Sequence, residues 1–313
     1  MREEIREHSL RQLLRQGFSF VREWEPLGPW TTWRIGGPAR LFAQPCSMQE
    51  LLSFLEIIRA EQIPWFFLGL GSNVLVSDSG FSGMVIHPKG EFTRIEVQNH
   101  TITAGPMARL LDVTILAARH SLSGMENLCG IPGSMGGGLY MNAGAFGGQI
   151  SDTLERLELL EADGSIQVLR RADIDFDYRA APRLQKGIIL RSWLSLQDRD
   201  KRLVWAAMRK VWQRRRASQP LGVPSAGSVF KRPAGDFAGR LIEAAGAKGL
   251  RIGRAAVSEK HANFFVNMGG ATASDMAALI CKVRLLVYEK FGVRLETEVK
   301  PVGFAKDPFV IEG

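Results

Sequence analysis

Cysteine is scarce in this chain and poorly spaced for either of its structural uses. Cys46, Cys129 and Cys281 are the only three in 313 residues, and no two form a CxxC pair. That excludes a disulfide framework and a four-ligand zinc site. The five histidines, His8, His87, His100, His120 and His261, are dispersed without metal-ligand spacing, so no metal is expected. No apolar run approaches the roughly 20 residues that a membrane-spanning helix needs, and membrane insertion is not expected. The opening stretch MREEIREHSLRQLLRQ is charged from Arg2 onward. Lacking an apolar core ahead of a small-residue cleavage site, it does not read as a secretory signal, and the cytoplasm is the expected compartment. Also missing are G-x-x-x-x-G-K-[ST], HExxH and GxSxG, which removes P-loop, zincin and nucleophile-elbow chemistry. There is no internal repeat and no low-complexity tract.

What is present is an ordinary globular composition, 45% hydrophobic and 23% charged, long enough for two or three compact units. The formal charge of +8 raises the question of an anionic partner. The basic residues are scattered. Only RRRAS, Arg214 to Ser218, is a tight cluster, and it ends a helical pattern in which Leu203, Val204, Ala207, Met208, Val211 and Trp212 recur at helical spacing. The cluster is either a solvated helix end or a phosphate contact. A nucleic-acid-binding protein would need a clustered basic face or stacking aromatics, so no nucleic acid is expected and a small polyanion fits the charge better.

Strand-like and helical patterns alternate along the chain. An amphipathic helix is expected from about Glu3 to Gly17, and a second, opened by a Ser47–Glu50 capping box, ahead of LLSFLEIIRA. PWFFLGLGSNVLVSDSGFSGMVIHP reads as short strands around a glycine turn. FTRIEVQNHTITAG, the helix ARLLDVTILAARHS, and the strands RLELLEADGSIQVLRR, turning on Asp163-Gly164, and GIILRSWLSL follow. A helix from Lys201 to Arg216 leads into SQPLGVPSAGSVFKRP. Beyond it lie the helix DFAGRLIEAAG, the strands RAAVS and ANFFVNMGG, a helix opened by TASD, and a last strand VRLETEVKPVG. Such alternation is an α+β or α/β signature.

Two glycine turns carry the first functional signal, Gly69 to Asn73 and Gly130 to Gly138. The second opens GIPGSMGGGLYMNAGAFGGQI, with eight glycines in twenty-one residues. Glycine gives up the most freedom on folding, so such density belongs where backbone bends sharply or touches something closely. Backbone N–H groups in turns form concavities that bind phosphate, although tight turns between strands would also account for the pattern. GLGSNVLV lacks the third glycine of a dinucleotide fingerprint. Ser228 in PSAGSVFKRP, the arginine of DYRAAP, and Glu296 and Glu298 of LETEVKP, placed on one face of a strand by alternation, stay ambiguous one by one.

Taken together and in order, TTWRIGGPA, GLGSNVLVSDSGFSG, GIPGSMGGGLYMNAGAFG, DYR, QPLGVPSAGSVFKRP, VSEKHANFFVN and LETEVKPVG resemble the UDP-N-acetylenolpyruvoylglucosamine reductase family of bacterial peptidoglycan synthesis. The motifs run from Thr31 to Gly303, about nine-tenths of the chain. The short span after DYR is similar to the type II form, without an extra tyrosine loop. The resemblance implies an α+β fold: a two-domain platform of the vanillyl-alcohol-oxidase (PCMH) type holding FAD non-covalently, plus a C-terminal α+β substrate-binding domain. It places FAD-binding subdomains at 1–90 and 91–217, the substrate domain at 218–304 and a tail at 305–313.

The resemblance further implies NADPH as co-substrate, a UDP-sugar nucleotide as substrate and a monomeric enzyme. By position in the motifs, Arg179, Ser228 and Glu298 are the expected catalytic residues, with the serine as proton donor. FAD contacts are expected from Gly69, Gly71, Ser72, Asn73, Gly130, Ile131, Pro132, Gly133, Ser134, Gly136, Gly137, Asn142, Gly144 and Ala145. Substrate contacts are expected from Tyr178, Lys231, Arg232, His261 and Asn263. Some relatives carry lysine where Ser218 stands and asparagine where Arg232 stands, which would redistribute phosphate contacts to Lys231, Arg232 or Arg214. Another FAD-dependent oxidoreductase on the same platform would explain the glycine turns but not the ordered arginine, serine and glutamate.

Overall fold

The structure, a computed structural model, describes residues 18–310. The helix expected from about Glu3 to Gly17 lies outside the described residues. Two compact units form from interleaved segments. Of the described residues, the first takes in 18–23, Leu41–Leu70 and Gly83–Trp212; the second takes in Trp24–Arg40, Gly71–Ser82 and 213–310.

In the first unit, helix α1, Met48–Ala60, starts where the capping box predicts. Glu50 N–H donates to Ser47 Oγ at 3.2 Å, and Ser47 N–H donates back to the Glu50 carboxylate at 3.3 Å. Leu51, Phe54, Leu55 and Ile58, one helical face by spacing, are buried with Leu41, Ala43, Met84 and Ile86. The strand Trp65–Phe67 runs parallel to Phe81–Ile86, with Phe66 opposite Val85.

A five-stranded sheet in the order Ile166–Arg170, Leu154–Leu160, Ile188–Ser195, Thr101–Ala104, Ile95–Gln98 is antiparallel throughout. Its first hairpin turns at Asp163-Gly164, where Gly164 has φ +94° and Asp163 Oδ1 accepts from Ser165 N–H. Helix α2, Leu110–Arg119, buries Leu110, Val113 and Ala117 with Leu157 and Leu194 of this sheet. Helix α3 is the short Met135–Tyr140. Helix α4, Lys201–Ser218, buries Val204, Met208 and Val211 with Ala118 and Cys129. At its end Arg214 and Arg216 are exposed, whereas Arg215 is buried and donates to Gln219 Oε1 at 3.3 Å.

The second unit is built on the antiparallel order Ser225–Ser228, Phe264–Asn267, Ala255–Val257, Arg251–Ile252. Helices α5, Ala238–Ala244, and α6, Ala273–Phe291, share its core: Leu241, Ile242, Ile280 and Val283 are buried with Trp33, Phe230 and Phe265. Trp33 Nε1 donates to the Phe265 carbonyl at 2.8 Å, and Asn267 Nδ2 donates to the Trp33 carbonyl at 2.9 Å. Val74–Val76 pairs in parallel with Lys300–Val302.

The strand expected across VRLETEVKPVG is shorter than its pattern suggested. Only Lys300–Val302 is regular strand, and the preceding segment touches the sheet through a single bridge, Phe230 to Thr297. Among the described residues the cysteines are all free, no group of three or more metal-ligating side chains occurs, and no helix is long and apolar enough to cross a membrane.

Candidate active site

The two glycine segments are built differently. Gly69 to Asn73 is a turn, as expected, and its left-handed Gly71, φ +62°, is required: a Cβ there would lie 2.2 Å from the Trp30 carbonyl oxygen. The turn read through Gly138 is corrected, because from Met135 the chain is helical. Ser134 caps this helix, α3, its Oγ accepting from Gly137 N–H at 3.3 Å. The glycines inside the helix divide by what surrounds them. Gly136 and Gly138 are buried, and added Cβ atoms would lie 3.0 Å from Pro106 Cβ and 3.2 Å from Leu110 Cδ1. Those two permit close packing. Gly137 is exposed and faces only Ser134 Oγ within 4 Å.

Within the first unit the segments meet: a Cβ on Gly69 would come 2.6 Å from Ser134 Oγ. His87, which sequence reasoning left without a role, braces this loop through a 2.9 Å hydrogen bond between Nδ1 and the Leu68 carbonyl. Burial pushes the His87 pKa below its ordinary value, so the neutral ring donates from Nδ1. Among the described residues, the backbone N–H groups of Leu70, Gly71, Ser72 and Asn73, and those of Gly130, Gly133 and Ser134, have no protein acceptor. Orphan N–H groups in glycine turns suit the oxygens of a pyrophosphate. Asn142 Oδ1 is likewise a buried acceptor without a donor among the described residues. These features fit a dinucleotide such as FAD.

Past α3 the chain makes the hairpin Gly144–Ala145 with Gly148–Gln149, and beside it lies the DYR turn. Asp177 and Ala180 exchange backbone hydrogen bonds of 2.9 and 3.2 Å, leaving Tyr178 and Arg179 at the tip. Arg179 has φ +55°, and its Nη2 donates to the Gly144 carbonyl at 2.9 Å, with its guanidinium 5.2 Å from the Tyr178 ring centre. The expected cofactor segment and the expected catalytic arginine are therefore in direct contact.

In the second unit, the Ser228 and Glu298 segments run side by side. Glu298 N–H donates to the Val229 carbonyl at 2.8 Å, and Lys231 N–H donates to the Glu296 carbonyl at 2.9 Å. Asn73 Nδ2 donates to the Glu298 carbonyl at 3.1 Å, so its side chain holds this segment. Gly227, φ +75°, precedes Ser228 at a break in register, and Ser228 Oγ has no hydrogen-bond partner among the described residues. Asn263, expected to touch substrate, is 6% exposed and clamps the segment that follows the Ser225–Ser228 strand. Its Oδ1 accepts from Phe230 N–H at 3.0 Å, and its Nδ2 donates to the Phe230 carbonyl at 2.8 Å.

The remaining expected substrate residues are near the surface. Tyr178 is exposed, Lys231 pairs with Glu296, and the Arg232 guanidinium stacks 4.1 Å from the Phe237 ring centre. His261 Nδ1 accepts from Asn263 N–H at 3.2 Å, and burial lowers the ring's pKa.

The comparisons with known proteins cover both units. A family model described as "UDP-N-acetylenolpyruvoylglucosamine reductase, C-terminal domain" matches residues 219–302, and one described as "FAD binding domain" matches residues 39–170. Similar curated proteins include UDP-N-acetylenolpyruvoylglucosamine reductase 2 of Symbiobacterium thermophilum, 46% identical across 90% of this chain and 91% of its own. The UDP-N-acetylenolpyruvoylglucosamine reductase of Caldanaerobacter subterraneus subsp. tengcongensis is 41% identical across 96% and 99%. Among solved structures, the reductase of that name from Thermus caldophilus superposes with a TM-score of 0.80, at 37% identity, over 90% of this chain and 100% of its own.

Proposed function

The chain belongs to the UDP-N-acetylenolpyruvoylglucosamine reductase family, and from that premise we infer that it reduces the enolpyruvyl ether of UDP-N-acetylglucosamine enolpyruvate to UDP-N-acetylmuramate. It is an FAD-dependent oxidoreductase of peptidoglycan synthesis, with NADPH as the electron donor in this reading. When bound, FAD supplies the hydride that ends on the terminal carbon of the enol ether. In the first unit the N–H groups of Leu70, Gly130, Gly133 and Ser134, together with the open face of Gly137, would hold its pyrophosphate, and Gly71, Ser72 and Asn73 are the further FAD contacts of this reading. Ile131, Pro132, Gly144 and Ala145 would complete that wall.

The chain's own residues deal with the charge and the proton. As hydride arrives, negative charge develops on the neighbouring carbon and its carboxylate. Arg179, as a cation, and the carboxyl group of Glu298 are the groups that would stabilise that enolate in this reading. Ser228 Oγ–H delivers the proton to the carbon, which balances the addition of hydride and proton across the double bond. Tyr178, Lys231, Arg232 and His261 would bind the sugar nucleotide, whereas Asn263 sets the strand that carries Ser228. The observation that carries the reading is the pairing of the Val229 carbonyl with Glu298 N–H, which holds the expected proton donor and the expected carboxyl group on adjacent segments.

The cytoplasm, where NADPH is found, is the compartment of this reading, and the enzyme works as a monomer. The test is the purified protein itself. It should be yellow, release FAD on denaturation, and under anaerobic conditions oxidise more than one equivalent of NADPH only when the enolpyruvyl sugar nucleotide is supplied. A colourless protein that does not take up FAD would overturn the proposal.

A further inference from the structure

We propose that Asn142 is the positioning residue for Arg179; the inference rests on the catalytic reading of Arg179 given above. Asn142 is 1% exposed and left-handed, φ +43°, a conformation that asparagine tolerates better than most residues. Its Nδ2 sends one hydrogen to the Asp177 carbonyl at 3.1 Å and the other to Gln149 Oε1 at 3.0 Å. Two oxygen acceptors on one side of the amide fix its orientation.

Asp177 begins the turn whose tip is Tyr178 and Arg179, and its carbonyl also accepts from Ala180 N–H at 3.2 Å. Asn142 therefore holds the base of that turn, and the Gly144 carbonyl, two residues further on, receives the Arg179 guanidinium at 2.9 Å. A single short stretch, 142–144, grips the turn at its base and at its side chain. Arg179 is itself left-handed, a conformation that a bulky residue keeps only where its surroundings over-determine it. The Asn142 amide constrains the base of the turn from outside it, alongside the bond from Tyr178 N–H to Asp177 Oδ1 at 2.6 Å within it. It acts on the reaction through the direction of the guanidinium.

The decisive experiment is a double-mutant cycle on the holoenzyme with Asn142→Gly and Arg179→Ala. Glycine keeps the left-handed backbone and removes the side-chain amide. With FAD saturating, Asn142→Gly is expected to lower kcat/KM for the enolpyruvyl substrate about 10- to 100-fold, the scale of a misplaced catalytic group, and to slow that half-reaction more than it slows NADPH-driven flavin reduction. If Asn142 acts through Arg179, the double variant should be no slower than Arg179→Ala alone, since coupled residues are not additive. In both holo and FAD-free protein, hydrogen exchange at the Ala180 amide should quicken in Asn142→Gly. Asn142→Asp, which turns an acceptor toward both oxygens, should be at least as slow.

Additive losses in the cycle, or equal slowing of both half-reactions in FAD-saturated Asn142→Gly, would overturn the proposal and make Asn142 an independent or purely cofactor-binding residue. Normal turnover by Arg179→Ala would instead remove the catalytic reading of the arginine on which the inference depends.

Discussion

A serine hydroxyl is a poor acid in water, so its use here depends on what it faces. Ser228 Oγ makes no hydrogen bond to another described residue, which leaves its proton available, and an enolate carbon is basic enough to take it. Ser228→Ala should keep NADPH-driven flavin bleaching while slowing reoxidation by the enolpyruvyl sugar nucleotide about 100-fold or more, the usual worth of a positioned proton donor. Rapid-mixing measurements of the two half-reactions check this. Asn263 makes a different prediction. Removing its amide in Asn263→Ala leaves the Phe230 N–H and carbonyl unpaired at a buried residue, at about 2–4 kcal/mol for the two groups, readable by denaturant unfolding. Arg179, Ser228 and Glu298 could be proposed from the sequence because each sits at a fixed place in an ordered motif. The work of Asn142, Asn263 and His87 was not, because an amide or imidazole names no partner until the chain has folded.

The glycine helix separates two uses of one residue type. Gly136→Ala pushes a methyl against Pro106 and should lower the stability of FAD-free protein, whereas Gly137→Ala has only Ser134 Oγ near it. The Gly137 variant should keep FAD-free stability, or gain a few tenths of a kcal/mol from the better helix former, yet bind FAD more weakly. Thermal melts with and without FAD distinguish the two. Sequence density announced a close approach in this stretch. It could not say which glycines face protein, because that depends on Pro106 and Leu110 arriving from another part of the chain.

Helix α6 offers a pH-dependent counterpart. Asp78 accepts from Ala273 N–H at 2.7 Å and from Ser274 N–H at 2.9 Å, adding to the Thr272–Asp275 capping box. Burial alone would raise the Asp78 pKa, but hydrogen bonds from Ala273 N–H and from the Ser274 hydroxyl and N–H bring it below the ordinary carboxylate value. The stabilisation is therefore complete above the unfolded pKa of about 3.9 and is lost as pH falls through the lower folded value. Asp78→Ala should cost about 1 kcal/mol near neutral pH, a typical cap contribution, and the gap from the parent should close in acid.

At the scale of the whole molecule, the second unit gathers residues that lie far apart in sequence. Trp33 and Asn267 hold each other's neighbourhoods across more than two hundred residues, and Leu75 is buried with Val229 and Phe265. Helices, hairpins and caps were readable because they follow from spacing within a few residues. The partner of Trp33 was not, since nothing local encodes an acceptor in a distant strand. The shortened last strand has the same cause: the alternation in LETEVKP is present, but ahead of Lys300 it meets an isolated bridge to the irregular Phe230 and no regular strand among the described residues. Because cofactor binds the folded chain, added FAD should raise the thermal midpoint, and about 100 times its dissociation constant corresponds to about 2.7 kcal/mol. Sedimentation should give the mass of one chain.

The most direct test of the central claim is an anaerobic two-step experiment on the holoprotein. NADPH is added first and should bleach the visible flavin band. UDP-N-acetylglucosamine enolpyruvate is added second, and the flavin band should return as UDP-N-acetylmuramate forms in equal amount to the NADPH consumed. A reduced flavin that the enolpyruvyl sugar nucleotide cannot reoxidise, in protein that oxygen readily reoxidises, would contradict the account.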